Sequence, residues 1–415
     1  MALKRIILIG LSLIVLVACQ PQSTSTLLPK SLVPTAAELV APAQLPETPI
    51  PASTLEYPPT STVFPKANPT HPPTWTPFAT RSTSTPAVMG VFKFAADVDP
   101  LTGLKVADPE ILNRRPVMVK VTNFPSDARP QAGLSKADVV FEYYIGEFMN
   151  RFLAVFYGKD AEKAGPIRSG RLVDAQLVNM YGGLLVYGSA DVKVDGVLIQ
   201  TLGERAISFL EAPCPAVCGT DTHASTVFTN TAELTRFAKK DAINDSRPDL
   251  SGMIFDARVP QSDQMAVKIA VQYVKFYRGE WEYDPDTHLY LRWIDDDSIK
   301  VPPVMVPLKD RLNDKQLAFS NLVLIFANYT EFAPTLHEID IWKNTTGERA
   351  IFFRDGVMTE GTWRSVGYDR PIQFFNHYGI PYALKPGNTW IVIVGNSSKF
   401  EQPASGQWEL RFDLP

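Results

Sequence analysis

The sequence predicts an α/β (α+β) N-terminal domain and a β-rich C-terminal domain behind a disordered tether rich in Pro, Thr and Ser. Between residues 91 and 255, alternating apolar patterns typical of strands are interleaved with helical patterns. From residue 256 to 415 the strand patterns continue, but helix signals are few. Fifteen of the 35 prolines lie between residues 21 and 90, so that segment is not expected to join a folded core.

Length, charge and motifs limit the function. The 415 residues include 40 Lys and Arg against 44 Asp and Glu, a formal net charge of −4, so nucleic acid is not an expected partner. The sequence contains no GxxxxGK[ST] loop, no GxSxG elbow and no HExxH spacing. Three cysteines exclude a four-cysteine zinc site. We therefore expect no cofactor and no metal.

The N-terminus predicts where the protein works. Residues 1–19 have the form of a signal peptide, with a basic start and an apolar stretch, residues 6–17, too short to span a bilayer comfortably. Residues 16–19, Leu-Val-Ala-Cys, resemble the lipobox of bacterial lipoproteins, in which Cys19 would carry diacylglycerol and palmitate. We therefore expect an extracytoplasmic protein, lipid-anchored to the bacterial cell membrane through Cys19. An ordinary signal peptide with an incidental cysteine is the alternative.

The segment of residues 20–90 is expected to be a flexible tether. Pro, Thr, Ser and Ala dominate it, and such a tract buries too little apolar surface to offset its ordering entropy. As a coil, about 70 residues span roughly 45 Å, and fully extended polyproline II reaches on the order of 200 Å. The folded part would thus stand off the membrane. A Pro-rich docking segment around residues 72–75 is the alternative.

Four strands and two helices are predicted in the N-terminal domain, residues 91–255. The strands are expected over residues 115–122, 137–145, 151–157 and 184–187. A helix is expected over residues 170–180, because Val173, Leu177 and Met180 fall on one helical face. A capping box at residues 230–233, Asn-Thr-Ala-Glu, predicts the start of the second helix.

The C-terminal domain, residues 256–415, is interpreted as a β-rich domain packed on the first. Its clearest hairpin joins residues 350–354 and 357–363 through Asp355 and Gly356, a pair that suits a type I′ turn. The other expected strands cover residues 267–273, 281–283, 289–293, 321–327, 338–342 and 389–394.

Polar residues cluster at or beside strand ends in the N-terminal domain. Residues 168–171, Arg-Ser-Gly-Arg, directly precede the first predicted helix, where backbone N–H groups and two guanidiniums would suit a carboxylate or phosphate. We predict that an anionic ligand is bound by Arg129, Glu142, Arg151, Arg168, Ser169 and Arg171. The alternative is that the arginines form structural ion pairs with Asp138, Glu142 and Glu147.

Carboxylate catalysis is a weaker hypothesis, with Glu142 assisted by Asp138 or Glu147. Asp138 and Glu142 are four residues apart on a predicted strand, which separates them by about 13 Å at roughly 3.3 Å per residue. That distance exceeds the roughly 5–10 Å between paired glycosidase carboxylates. Binding is therefore favoured over enzyme activity, which stays uncertain.

Two other groups of residues carry minor hypotheses. Cys214 and Cys218 lie in a loop between prolines, and outside the cytoplasm a local disulfide is expected. His223 could complete a metal site with them or act as a base for Ser225 or Thr226, although a lone loop histidine is more often structural. The acidic residues 295–297 could bind calcium, but three adjacent aspartates are more typical of a solvated turn.

An ordered series of motifs resembles the YerB-like family of bacterial lipoproteins. In the N-terminal domain they are PLTGL at 100–104, NRRPV at 113–117, ARPQ at 128–131, GLSKAD at 133–138, RFLAVF at 151–156 and GPIRSGR at 165–171. In the C-terminal domain they are FRDG at 353–356, EGTW at 360–363 and PGNTW at 386–390. The family consists of two domains of unknown function, so the resemblance implies a lipoprotein and no particular reaction. Similar proteins often carry Glu-Gly-Gly where residues 146–151 here are Gly-Glu-Phe-Met-Asn-Arg.

Three functional hypotheses remain open. The leading one is a membrane-anchored lipoprotein of the bacterial cell envelope that binds an anionic envelope ligand, such as a cell-wall polymer. The second is a protein-interaction module that regulates an envelope enzyme, with an envelope protein as its partner. The third is a cell-wall hydrolase that depends on Glu142.

Overall fold

A computed structural model describes residues 93–220 and 225–414, which belong to one compact unit. The predictions for Cys19, for the tether at residues 20–90 and for His223 concern positions outside the described residues. No helix in these two described ranges is long and apolar enough to cross a membrane.

The described residues form three α-helices, four short 3-10 helices and 23 strands. The α-helices are α1 Leu172–Met180, α2 Val192–Leu202 and α3 Thr231–Lys240, and the 3-10 helices are Pro109–Leu112, Ser126–Ala128, Leu134–Lys136 and Gly203–Arg205. The strands are β1 Val117–Val121, β2 Val139–Gly146, β3 Met149–Phe156, β4 Leu184–Tyr187, β5 Ala206–Ser208, β6 Val217–Cys218, β7 Phe228–Thr229, β8 Ile254–Phe255, β9 Lys268–Val274, β10 Tyr277–Asp284, β11 Leu289–Asp295, β12 Met305–Pro307, β13 Ala318–Phe319, β14 Asn321–Ala327, β15 Tyr329–Ala333, β16 Leu336–Ile339, β17 Glu348–Arg354, β18 Val357–Arg364, β19 Gln373–Asn376, β20 Ala383–Leu384, β21 Thr389–Gly395, β22 Lys399–Ala404 and β23 Gln407–Arg411.

A ten-stranded sheet joins the two halves of the chain, in the order β19-β18-β17-β14-β21-β2-β3-β1-β4-β5. Its middle is the parallel pairing of β2 with β21, in which Val139 lies opposite Thr389 and Tyr143 opposite Ile393. The pairings give β1, β2, β4, β5, β14 and β21 one common direction. The carboxyl ends of these strands therefore lie along one edge of the sheet, which we call the carboxyl edge.

The ten-stranded sheet has an apolar core on each face. One core packs side chains of β1, β2 and β3 against the helices α1 and α2. The other packs the opposite faces of the same strands against a seven-stranded sheet, which contains β9, β10 and β11, and against α3. Because side chains alternate along a strand, neighbouring residues of β2 and β3 belong to different cores. This alternation decides which polar side chains can meet.

The predicted fold class is confirmed: strands dominate, and the few helices of the described residues all lie before residue 241. Local signals account for several elements. Asn230 caps α3 by accepting hydrogen bonds from the N–H groups of Ala232 and Glu233 at 3.1 Å. Asp355 (φ 54°) and Gly356 (φ 76°) form the turn between β17 and β18.

Helix α2 was not predicted from the sequence. It contains the β-branched residues Val192, Val194 and Val197 as well as Gly196, all of which have low intrinsic helix propensity. Asp191 caps it by accepting from the N–H of Lys193 at 2.9 Å. Its apolar face, which includes Val194 and Leu198, is buried against the sheet, so tertiary packing overrides the weak propensity.

Candidate anion-binding site

Two loops meet at the carboxyl edge. Residues 165–171 lead into α1, and residues 188–191 lead from β4 into α2. The N–H of Arg168 donates to the carbonyl of Lys120 on β1 at 2.9 Å, and the N–H of Gly188 donates to the carbonyl of Arg168 at 2.9 Å. The N–H of Gly170 donates to the carbonyl of Ser189 at 2.8 Å. A Cβ on Gly170 would lie 2.7 Å from Leu198, so a side chain there would disturb the packing of the loop on α2. Backbone pairing thus fixes both loops side by side.

Three arginines converge at this place, and we call Arg151, Arg168 and Arg171 the arginine cluster. Arg151 comes from β3, is 5% exposed, and donates from Nη1 to the carbonyl of Ser169 at 3.1 Å. Arg171 donates from Nη1 to the carbonyl of Gly170 at 2.8 Å. No member of the cluster forms an ion pair with a carboxylate of the described residues, and all three Nε atoms are buried without a hydrogen-bond partner there.

The three positive charges act on one another. Burial lowers the pKa of Arg151 to about 9, and the charges of Arg171 and Arg168 add to this decrease. Burial also lowers the pKa of Arg171, with Asp174 opposing and Arg168 reinforcing the shift. Arg151 is buried and Arg168 and Arg171 are half-buried, and like charges held together in such surroundings without paired carboxylates are costly for the folded protein. A contribution to the stability of the folded protein therefore does not explain the cluster.

A buried trio lies beneath the cluster and consists of Lys120, Tyr143 and Asp174. The ammonium of Lys120 lies 3.1 Å from Asp174 Oδ1, and the hydroxyl of Tyr143 contacts both groups at short range. Asp174 Oδ2 also accepts from the N–H of Arg171 at 2.6 Å. Burial lowers the pKa of Lys120 to about 7, opposed by Asp174 and reinforced by Arg171 and Arg151.

The N-terminus of α1 adds further donors. The N–H groups of Leu172 and Val173 donate to no other described residue, and the N-cap position holds Arg171, whose side chain supplies no capping acceptor. The hydroxyl oxygens of Ser169 and Ser189 lie 3.4 Å apart in the two loops. Helix N-termini favour negative charge. The site therefore gathers guanidiniums, hydroxyls and backbone N–H groups with few acceptors.

Glu142 lies on the opposite face of the sheet. Its side chain is 0% exposed, and its two oxygens accept from the Asn150 amide, from the Tyr273 hydroxyl at 3.1 Å, from Arg292 Nη2 at 3.2 Å and from Trp390 Nε1 at 2.8 Å. The donors come from β3, β9, β11 and β21, so this one carboxylate links the two sheets. Arg292 also stacks on the ring of Trp281 at 4.0 Å. These contacts support a structural role for Glu142.

Arg129 also lies away from the arginine cluster. Its guanidinium donates to Asp295 Oδ2 and to Asn123 Oδ1, both at 3.0 Å, in a cleft of about 520 Å³. The acidic turn that follows is used locally: Asp296 accepts from the N–H of Ser298, and Asp297 from the hydroxyl of Ser126. Among the described residues, no group of three or more His, Cys, Asp or Glu side chains is arranged to hold a metal ion.

Asp138 and Glu147 have separate surroundings. Asp138 accepts from the N–H groups of Tyr157 at 2.6 Å and Gly158 at 2.9 Å, beside the buried carboxyl of Asp99. Burial and the charge of Asp99 raise the pKa of Asp138 well above its usual range. Glu147 is exposed in the turn between β2 and β3 at φ 51°. The described structure thus shows no ion pair between the arginine cluster and Asp138, Glu142 or Glu147.

The loop of residues 214–218 is closed by a disulfide between Cys214 and Cys218. Near it, the hydroxyl of Thr226 donates to the carbonyl of Thr220 at 2.6 Å. Ser225 is half-buried in the same loop. The catalytic hypothesis for this loop also needs His223, which lies outside the described residues.

Of the six predicted ligand-binding residues, the structure brings together Arg151, Arg168, Ser169 and Arg171. It does not bring Arg129 or Glu142 to them. Sequence reasoning missed Lys120 and Asp174. The strand pattern groups Lys120 with Met118 and Thr122, a grouping that gives no sign of a buried ammonium. Asp174, three residues after Arg171 at the start of the predicted helix, was the available signal.

Comparison with known protein families shows which family the chain belongs to. The N-terminal domain of the family described as protein of unknown function DUF3048 matches residues 101–244, and its C-terminal domain matches residues 269–391. The chain belongs to this family. The resemblance to YerB-like proteins is thereby confirmed. The N-terminal match contains β2, and the C-terminal match ends within β21, the strand that pairs with β2 in the middle of the large sheet.

A protein of Bacillus subtilis is similar to this chain. YerB of strain 168, whose name assigns it provisionally to the lipoproteins, is 28% identical over 320 residues, or 71% of this chain and 85% of YerB. The crystal structure of YerB from Bacillus subtilis has a TM-score of 0.59 and 26% identity, and the alignment covers 72% of this chain and 96% of that one. The fold of this DUF3048 protein is thus shared with an experimental structure.

Proposed function

We propose that the protein is a membrane-anchored extracytoplasmic lipoprotein of the bacterial cell envelope that binds an anionic envelope ligand through Arg151, Arg168, Ser169 and Arg171. One observation carries the binding site: Arg151 is 5% exposed, faces two other guanidiniums and has no carboxylate partner among the described residues. A bound anion would supply the missing negative charge. The positive charge of the arginines would then be in place before the ligand binds.

The location rests on two independent features. The sequence Leu-Val-Ala-Cys at residues 16–19 resembles a lipobox, and the similar YerB of Bacillus subtilis carries the name of a lipoprotein. With Cys19 lipidated, residues 20–90 would tether the folded part at the outer face of the membrane. Substitution of Cys19→Ala should move the protein out of the membrane fraction of the native host, while the wild type stays in it.

The geometry favours binding over hydrolysis. A catalytic carboxylate must reach the atoms of its substrate. Glu142 is fully buried, and four donors of the protein occupy its oxygens. Glu147 is exposed, and its carboxylate forms no hydrogen bond or ion pair with another described residue that would hold it in place. Carboxylate-dependent hydrolysis therefore has weaker support than recognition of an anion.

A co-sedimentation experiment tests the proposed function. The full-length protein is incubated with purified cell-wall sacculi in low salt, and the pellet and supernatant are assayed for protein and for released fragments. The wild type should pellet, and Arg168→Ala with Arg171→Ala should reduce the bound amount by about tenfold, because two charge-assisted contacts are lost. Binding should weaken in 0.5 M salt.

Matched substitutions on exposed arginines provide the control. Arg349 and Arg370 are about as exposed as each other, pair with Glu360 and Asp249, and lie outside the arginine cluster. Arg349→Ala with Arg370→Ala changes the net charge equally and should leave binding unchanged. Equal binding by the cluster variant and the wild type would contradict the proposal. Defined fragments in the supernatant would indicate a hydrolase instead.

A further inference from the structure

The donors of the site exceed what a single carboxylate uses. Three guanidiniums, the hydroxyls of Ser169 and Ser189, and the two unpaired N–H groups at the start of α1 surround one place. A carboxylate offers two oxygens, whereas a terminal phosphoryl group offers three, at three corners of a tetrahedron. The number of donors therefore suits a phosphoryl group better.

Charge balance points the same way. The charged groups that act most strongly on Lys120, Arg151 and Arg171 are these three groups themselves, Arg168, Asp174 and Asp191. With four positive and two negative groups, the site has a surplus of two positive charges when Lys120 is protonated. A carboxylate or a phosphodiester brings one negative charge, and a phosphate monoester brings close to two at neutral pH. A dianion would neutralise the surplus.

Arg151 supplies the observation that is independent of the helix terminus. It is 95% buried and belongs to a strand of the central sheet, and its Nη1 is held on the carbonyl of Ser169, directly in front of α1. Its Nε has no partner among the described residues. A long side chain fixed in this way has already lost its conformational entropy before a ligand binds. The site is thus preorganised.

From these contacts we infer that the arginine cluster binds a dianionic phosphoryl group, either a terminal phosphate on a larger molecule or inorganic phosphate. The inference rests on the proposed function and makes its ligand class specific. Arg151 contributes the buried charge, Arg168 and Arg171 contribute forks that can bind two oxygens each, and α1 contributes backbone N–H groups.

Isothermal titration of the full-length protein with matched probes tests the inference. Phenyl phosphate, methyl phenyl phosphate and benzoate present the same ring with a dianionic phosphoryl group, a monoanionic diester and a carboxylate. At pH 7.0 and equal ionic strength, phenyl phosphate should bind at least about tenfold more tightly than the other two, because it alone carries close to two charges. Arg168→Gln with Arg171→Gln should abolish this preference, and Arg349→Gln should keep it.

The outcomes separate this inference from the proposed function. If all three probes bind equally and the cluster variant loses all of them, an anion site exists but the dianion inference is wrong. If no probe binds while sacculi still bind in a cluster-dependent manner, the inference is likewise overturned and the proposed function stands. If the cluster variant binds phenyl phosphate as the wild type does, both the dianion inference and the proposed function are contradicted. A titration with inorganic phosphate distinguishes the source: weaker binding than phenyl phosphate indicates a terminal phosphate on a larger ligand.

Discussion

Arg151 and Glu142 lie on adjacent paired strands but project to opposite faces of the ten-stranded sheet. Arg151 is in register with Tyr143, and Glu142 is in register with Phe152, so an offset of one residue separates them. Arg151 meets the loop before α1, where it lacks a carboxylate partner. Glu142 meets Arg292 of the second sheet. One buried charge is thus available for a ligand, while the other is used for structure.

Glu142→Gln should destabilise the protein. The substitution removes the negative charge that faces Arg292, which is 0% exposed, and leaves a buried guanidinium uncompensated. The free energy of unfolding should fall by about 3 kcal/mol, as for other broken buried ion pairs. Urea unfolding of the full chain measures it. Glu360→Gln removes an exposed partner of Arg349 and should change the value by less than about 0.5 kcal/mol; equal effects of the two variants would refute the structural role.

Gly279→Ala should disturb the same ion pair, Glu142 with Arg292, by displacing the arginine. A Cβ at Gly279 would lie 2.4 Å from both terminal nitrogens of Arg292, so the guanidinium must move away from Glu142. We expect a loss of about 1–3 kcal/mol, typical of overpacking. Gly196→Ala is the matched control: it lies in α2 with no atom within 4 Å of the added Cβ, and it should gain about 0.5–1 kcal/mol. A neutral or stabilising Gly279→Ala would show that Arg292 is not held as described.

The carboxyl groups of Asp99 and Asp138 predict a pH dependence of stability. Burial raises the pKa of Asp99 to about 6, although Lys159 and hydrogen bonds from Leu101 and Thr102 oppose the shift. Between about pH 4 and pH 6 the folded protein therefore binds more protons than the unfolded chain. The free energy of unfolding should decrease as the pH rises through this range, and the stabilising contribution is complete below the unfolded pKa.

Asp99→Asn should make the stability curve flatter by an amount on the order of 2 kcal/mol between pH 4.5 and pH 7, since the amide does not titrate. Chemical unfolding at four pH values measures the difference from the wild type. Asp97→Asn, at an exposed carboxylate paired with Lys105, should not remove the dependence. If the Asp99→Asn curve runs parallel to that of the wild type, burial does not raise the pKa of Asp99 in the folded protein.

Local patterns predicted 12 of the 23 strands in the described residues, whereas they could not predict long-range strand pairing. The strand over residues 184–187 and the hairpin through Asp355 and Gly356 follow from alternation and turn chemistry, and both are present. The parallel pairing of β2 with β21 joins residues about 250 positions apart, and alternation says nothing about such a partner.

Sequence patterns predicted only part of the candidate site, because they do not show which distant residues lie together. Residues 168–171 stand out because two arginines flank a serine and a glycine before a helix. Arg129 and Glu142 are equally polar and equally close to strand ends, but the direction of each side chain depends on the register of its strand. Only the structure shows that Arg129 is paired with Asp295 and that Lys120 is buried against Asp174.

Substitution of Arg151→Met, compared with Arg292→Met, tests the central claim most directly. Both arginines are buried, but only Arg292 has a carboxylate partner. If Arg151 is charged for an anion, Arg151→Met should keep or raise the free energy of unfolding, by up to about 1–2 kcal/mol, and should abolish binding to sacculi. Arg292→Met should lower the free energy of unfolding by about 3 kcal/mol because Glu142 loses its partner. A strong loss of stability in Arg151→Met, or binding equal to that of the wild type, would contradict the anion site.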